Sequence, residues 1–142
     1  MTRPLRLVCV DLPAPPLFHK ADAYGARRGY EPSAAETVAA ILGRPVQWVI
    51  TTWSDMIPAV REGRGDAIWC GQGITAQRAA VVDFTRPYAV FDESVLVLAD
   101  SPVRRPADLD RLRVAAIAGT TNIALAHTFP AAPIVDFDGA PA

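Results

Sequence analysis

The sequence predicts an α/β fold, a parallel sheet of short strands covered by helices. Three observations carry this. Residues 5–10, 46–51 and 66–70 are brief apolar runs, too short for helices and rich in strand-forming residues. Between them lie two stretches with helix start and stop signals. Their order is β-α-β-α-β, the order of parallel strands joined by crossover helices.

Each element follows from its residues. Residues 5–10 read as a buried strand that ends at Asp11. Residues 12–19 form a loop, because Pro13, Pro15 and Pro16 exclude regular structure. Residues 21–28 are polar and contain Gly25, which reads as a surface turn. Ser33 and Glu36 have the spacing of a capping box, so the first helix is expected to start there and run to Leu42. Ala35, Val38, Ala39 and Leu42 would share one face, and Gly43 would end the helix in a left-handed turn.

Ser54 is placed to cap a second helix through Glu62, with Pro58 tolerated near the first turn. Gly63 ends it before the third strand. Residues 93–99 are expected to form a long apolar strand, broken by Asp100, Ser101 and Pro102. Arg105-Pro106-Ala107-Asp108-Leu109 starts a short helix. Residues 113–118 form another strand, residues 119–122 turn into a helix through about His127, and residues 134–137 form a last strand.

Composition narrows the function classes. The chain has 142 residues, enough for one ordinary domain, with 51% apolar and 20% charged residues, which describes a globular protein. A net charge of −1 gives no electrostatic case for nucleic acid or an anionic membrane. No apolar run reaches the roughly 18 residues of a transmembrane helix. Cys9 and Cys70 sit in apolar strand-like runs and read as buried free thiols. His19 and His127 lack metal-ligand spacing, no nucleotide or hydrolase motif is present, and no cofactor is expected.

The stretch richest in chemistry is Gly71-Gln72-Gly73-Ile74-Thr75-Ala76-Gln77-Arg78, followed by Asp83-Phe84-Thr85-Arg86-Pro87-Tyr88. A strand that runs into two glycines exposes backbone groups at its carboxyl end, where ligands bind in open α/β sheets. Thr75 can cap a short helix, with Arg78 in its first turn. A fixed cation beside backbone donors suits a small carboxylate.

These two segments, in this order and spacing, resemble the G-x-[STG]-I-T-x-x-R…D-F-[ST]-x-P-Y signature of bacterial family 3 solute-binding proteins. The resemblance runs from about Leu5 to the C-terminus. It implies a type II periplasmic-binding-protein-like fold, with two α/β lobes closing on a ligand. On that template residues 1–98 are lobe 1 with a hinge strand, and residues 99–142 begin a lobe 2 that is incomplete. An incomplete lobe would leave unpaired sheet edge around residues 114–117 and 134–137, which invites self-association.

The resemblance also implies roles. Arg78 would hold the ligand's carboxylate, and Gly71 and Gly73 would offer backbone contacts. Trp53 would wall the ligand side chain, and Asp11 would meet a polar or cationic one. Thr120 and Thr121 would add lobe 2's share of the carboxylate site. Two departures stand out: Gly73 lacks the hydroxyl common at its position, and Ala14 stands where a second aromatic wall is common. Asp83 and Tyr88 read as loop ties.

The implied function is the binding component of an ABC importer, capturing a small amino acid or related zwitterion and delivering it to a membrane permease. That implies an extracytoplasmic location, although Met1 to Pro4 lead straight into the first strand without a signal, which keeps a cytoplasmic one open. No chemistry on the ligand is required. A cyclohexadienyl dehydratase-like enzyme and a ligand-sensing module of a signalling receptor are the alternatives on the same fold.

Overall fold

A computed structural model describes residues 2–129 and 133–137. The chain divides into two compact units, Met1–Phe84 and Thr85–Ala142.

In the first unit three parallel strands lie in the order β2-β1-β3, with β1 at Leu5–Cys9, β2 at Val46–Ile50 and β3 at Ala67–Ile68. β1 pairs Leu5 with Val46 through Cys9 with Ile50 on one side, and Leu7 and Val8 with Ala67 and Ile68 on the other. The central strand is the most deeply buried, with Leu7 1% and Val8 0% exposed. Successive strand side chains point to opposite faces. Leu5 and Leu7 pack with Ala35 and Ala39 of α1, Tyr30–Ile41, while Val8 and Val10 pack with Met56 and Ala59 of α2, Met56–Arg61. The two helices therefore cover opposite faces of the sheet. Burying a side chain the size of Leu7 or Met56 stabilises the fold by about 1.5–3 kcal/mol.

Both helix starts differ from the sequence expectation. α1 begins a turn earlier, at Tyr30 after the N-cap Gly29. Ser33 lies inside the helix, and its hydroxyl donates back to the Gly29 carbonyl at 2.9 Å instead of capping. Pro32 falls in the first turn, where a missing N–H costs nothing. Gly29 is required there. Its φ is 126°, and a Cβ would sit 2.5 Å from the Leu17 carbonyl oxygen. α2 has Asp55 rather than Ser54 at its N-cap position. Both helices end as expected, at Gly43 and Gly63 with positive φ.

β3 is shorter than residues 66–70, because its ladder covers only two residues. The chain still runs beside β1, since Trp69 N donates to the Val8 carbonyl at 2.9 Å. At the opposite, amino-terminal end, Asp66 accepts from Arg3, Arg6 and Arg44 at 2.9, 2.7 and 2.9 Å. Its hydrogen bonds to Arg6, first among these influences, hold its pKa well below the usual carboxylate range.

In the second unit β4, Val114–Ile117, pairs in parallel with β5, Ile134–Phe137, and α4, Thr121–Ala126, lies between them in the chain. A 3-10 helix at Pro106–Leu109 buries Leu109, and Ala116 and Ala126 are also buried. The expected strand at residues 93–99 is not formed: this stretch enters no ladder among the described residues. Apolarity alone does not make a strand; its backbone groups need a partner. Leu96 is accordingly 97% exposed.

Candidate ligand-binding site

Three loops leave the carboxyl ends of the first unit's parallel strands, and so emerge at the same edge of the sheet. After β3 the chain reaches buried Cys70 and then Gly71, whose φ of 61° turns it sharply. It passes Gln72 and Gly73 and enters the short helix α3, Ala76–Ala79. Thr75 caps this helix as expected, its hydroxyl oxygen accepting from Arg78 N at 3.2 Å.

The Arg78 side chain folds back over the loop that precedes it. Its Nη1 donates to the Gly73 carbonyl at 2.9 Å. With the Gln72 carboxamide oriented by the same network, its oxygen accepts from Arg78 Nε at 2.9 Å and Nη1 at 3.1 Å. The guanidinium carbon lies 6.0 Å from the centroid of the Trp53 ring. Trp53 comes from the loop after β2 and packs against the core cluster that includes Val8 and Met56. A carbonyl, an amide and an aromatic face thus orient one cation. Burial lowers the Arg78 pKa, but a guanidinium stays charged in proteins.

Asp11 follows β1 at this same edge. It is paired with Arg27, whose Nη2 lies 2.8 Å from Asp11 Oδ1. Arg27 belongs to the stretch expected to be a surface turn, yet its side chain is only 4% exposed. Glu31, in the first turn of α1, is 1% exposed and lies beneath Gly71, where a Cβ would come 3.8 Å from Glu31 Oε1. Its backbone carbonyl accepts from Trp69 Nε1 at 3.0 Å. Cys9 and Cys70 are free and buried. Burial, opposed by the nearby Arg27 charge, pushes the Cys9 thiol up to about 11 and raises Cys70 as well.

Five of the seven expected site residues, Asp11, Trp53, Gly71, Gly73 and Arg78, therefore lie in the first unit, on the segments that follow its strands at one sheet edge. Thr120 and Thr121 lie in the second. Thr120 Oγ1 donates to the Ile117 carbonyl at 2.6 Å. Thr121 Oγ1 and Asn122 Nδ2 both donate to the Glu93 carboxylate. The turn expected to hold an anion thus holds one of the chain's own. Gln72, Arg27, Glu31, Glu93 and Asn122 were not singled out from sequence. Gln72 sits inside the motif and could have been; nothing in the spacing marks the others.

The first unit is thus a parallel α/β sheet with a glycine loop, an oriented guanidinium and an aromatic ring at its carboxyl edge. The sequence matches the family of bacterial extracellular solute-binding proteins, family 3, over residues 7–129, and the chain belongs to that family. A probable amino-acid ABC transporter periplasmic-binding protein, y4tE, from Sinorhizobium fredii is 32% identical over 84 residues, 57% of this chain and 28% of the relative. A probable histidine-binding protein of Campylobacter jejuni is 29% identical over 93 residues, 65% of this chain and 36% of that protein. Among solved structures, the ancestral amino acid-binding protein AncCDT-1, a precursor of cyclohexadienyl dehydratase, aligns with a TM-score of 0.87 and 32% identity, covering 95% of this chain and 61% of its own. An ancestral arginine-binding protein bound to glutamine aligns with a TM-score of 0.82 and 26% identity, covering 98% and 62%. The fold is that of periplasmic amino-acid-binding proteins. The chain spans about a third of the length of these curated relatives.

Proposed function

We propose that this chain supplies the carboxylate-binding half-site of an amino-acid receptor, the solute-binding component of an ABC importer. The observation that carries the reading is the Arg78 guanidinium, held by Gly73, Gln72 and the Trp53 face at the carboxyl edge of a parallel sheet. A planar cation with this orientation matches a carboxylate, and a charge-assisted hydrogen bond there contributes about 1.5–3 kcal/mol. The Gly71–Gly73 backbone and the Trp53 ring flank the same point and suit the rest of a small zwitterion.

The setting of the family supports an extracytoplasmic site of action and hand-over to a membrane permease. The lobe division near residues 98–99 belongs to the same proposal. Binding needs no bond to form or break, so the ligand leaves unchanged.

The test compares an amino acid with its decarboxylated amine. Amide signals of Gly71 and Gly73 are followed by NMR as each is added. The reading predicts saturable shifts with the amino acid and none with the amine. Equal responses to both, or conversion of the ligand, would overturn it.

A further inference from the structure

We propose that the buried Arg27–Asp11 pair sets the specificity of this site against amino acids with cationic side chains. The inference rests on the reading of the Arg78 edge as an amino-acid site.

Asp11 is the acid that β1 delivers to this edge. An acid there would ordinarily attract an ammonium or guanidinium. Here its charge is already committed. Arg27 Nη2 sits 2.8 Å from Asp11 Oδ1, with the Arg27 side chain 4% and the Asp11 side chain 35% exposed. The Arg27 guanidinium carbon lies 5.9 Å from the Trp48 ring centroid, so an aromatic face supports it from β2. Its partner Asp11 follows β1, so the pair lies at the carboxyl end of that strand. A cation this deep cannot be left without its counter-charge at tolerable cost. The pair is therefore a fixed part of the fold and is not surrendered to a ligand.

The consequence is a matter of charge. A cationic side chain arriving at Asp11 meets a neutralised carboxylate, with Arg27 behind it and Arg78 at the same edge. Glu31 offers no direct contact, because it is sealed beneath Gly71. An amide or hydroxyl side chain can instead hydrogen-bond to the exposed part of Asp11 without adding charge. An acidic side chain would meet the Asp11 carboxylate, the more exposed member of the pair. The preferred ligand class is an amino acid with an uncharged polar side chain.

The experiment titrates the whole chain with L-glutamine, L-arginine and L-lysine, reading the Gly71 and Gly73 amide signals. The unaltered chain is expected to bind glutamine at least about tenfold more tightly than arginine or lysine. Arg27→Met should shift that ratio toward the cationic ligands by about tenfold, and adding Asp11→Asn should remove the shift. Arginine or lysine binding as tightly as glutamine to the unaltered chain would overturn the proposal. So would a ratio unmoved by Arg27→Met. Should that variant fail to fold, the ranking in the unaltered chain decides alone. A chain in which no amino acid moves those signals overturns the carboxylate-site reading and this inference with it, an outcome distinct from binding with the wrong preference.

Discussion

The Arg78 guanidinium lies 6.0 Å from the centre of the Trp53 ring, although Trp53 follows β2 and Arg78 lies in α3, after β3. The sheet brings them together. β2 and β3 flank β1 in parallel, so the loops that follow them leave at one edge. Trp53 packs against the core cluster and holds the Arg78 cation over its ring.

Trp53 should therefore report on the site. An amino acid at Arg78 should alter its fluorescence, and Trp53→Ala should weaken binding by about 1–3 kcal/mol, the scale of a buried aromatic contact with a cation–π share. Trp53→Phe separates it from Trp48 and Trp69. A ligand-dependent signal unchanged in that variant would assign the response to the other two.

Gly29→Ala should destabilise the first unit by about 2–4 kcal/mol. The added Cβ would meet the Leu17 carbonyl oxygen at 2.5 Å, on a residue with φ of 126°. Urea denaturation followed by far-ultraviolet circular dichroism measures this. A variant as stable as the parent would show that the loop and the start of α1 are not locked together.

Stability should fall in alkali. Burial raises the Cys9 thiol from an ordinary 9.0 to about 11. A raised pKa means that the neutral thiol is favoured in the fold. Its contribution is complete below about pH 9 and is lost as pH rises toward 11, because the unfolded chain releases its proton first. The full effect is about 2–3 kcal/mol, with Cys70 acting in the same direction. Cys9→Ala should flatten the decline in urea stability between pH 8 and 11, and an unaltered slope would show that this thiol is not responsible.

Hydrogen exchange should be fastest within residues 86–98 and slowest in β1. The former join no ladder among the described residues, whereas β1 is paired on both sides. Protection of residues 93–98 equal to that of Leu7 and Val8 would show that the segment has a partner in solution.

Much of this was legible in the sequence, for identifiable reasons. β1, β4, α4 and β5 announce themselves through local apolarity, turn residues and caps, and the Gly71–Arg78 loop through its motif. The start of α1 was obscured because Ser33 and Glu36 imitate a cap, while the true start depends on how closely Gly29 approaches Leu17. Residues 93–99 have the composition of a strand, but a strand exists only with its neighbour. Arg27 looked like a solvated turn residue, because burial of a charge is decided by a partner 16 positions away, Asp11. Tertiary pairing of this kind leaves no periodicity to read.

The most direct test of the account is the affinity of the chain for an amino acid with and without the Arg78 guanidinium. NMR titration of the unaltered chain, Arg78→Lys and Arg78→Ala, read at Gly71 and Gly73, measures it. The account predicts that Arg78→Ala loses about 1.5–3 kcal/mol of binding, ten- to more than a hundredfold, with Arg78→Lys recovering only part because an ammonium cannot pair in a fork. An Arg78→Ala chain that folds like its parent and binds the amino acid equally well would contradict it.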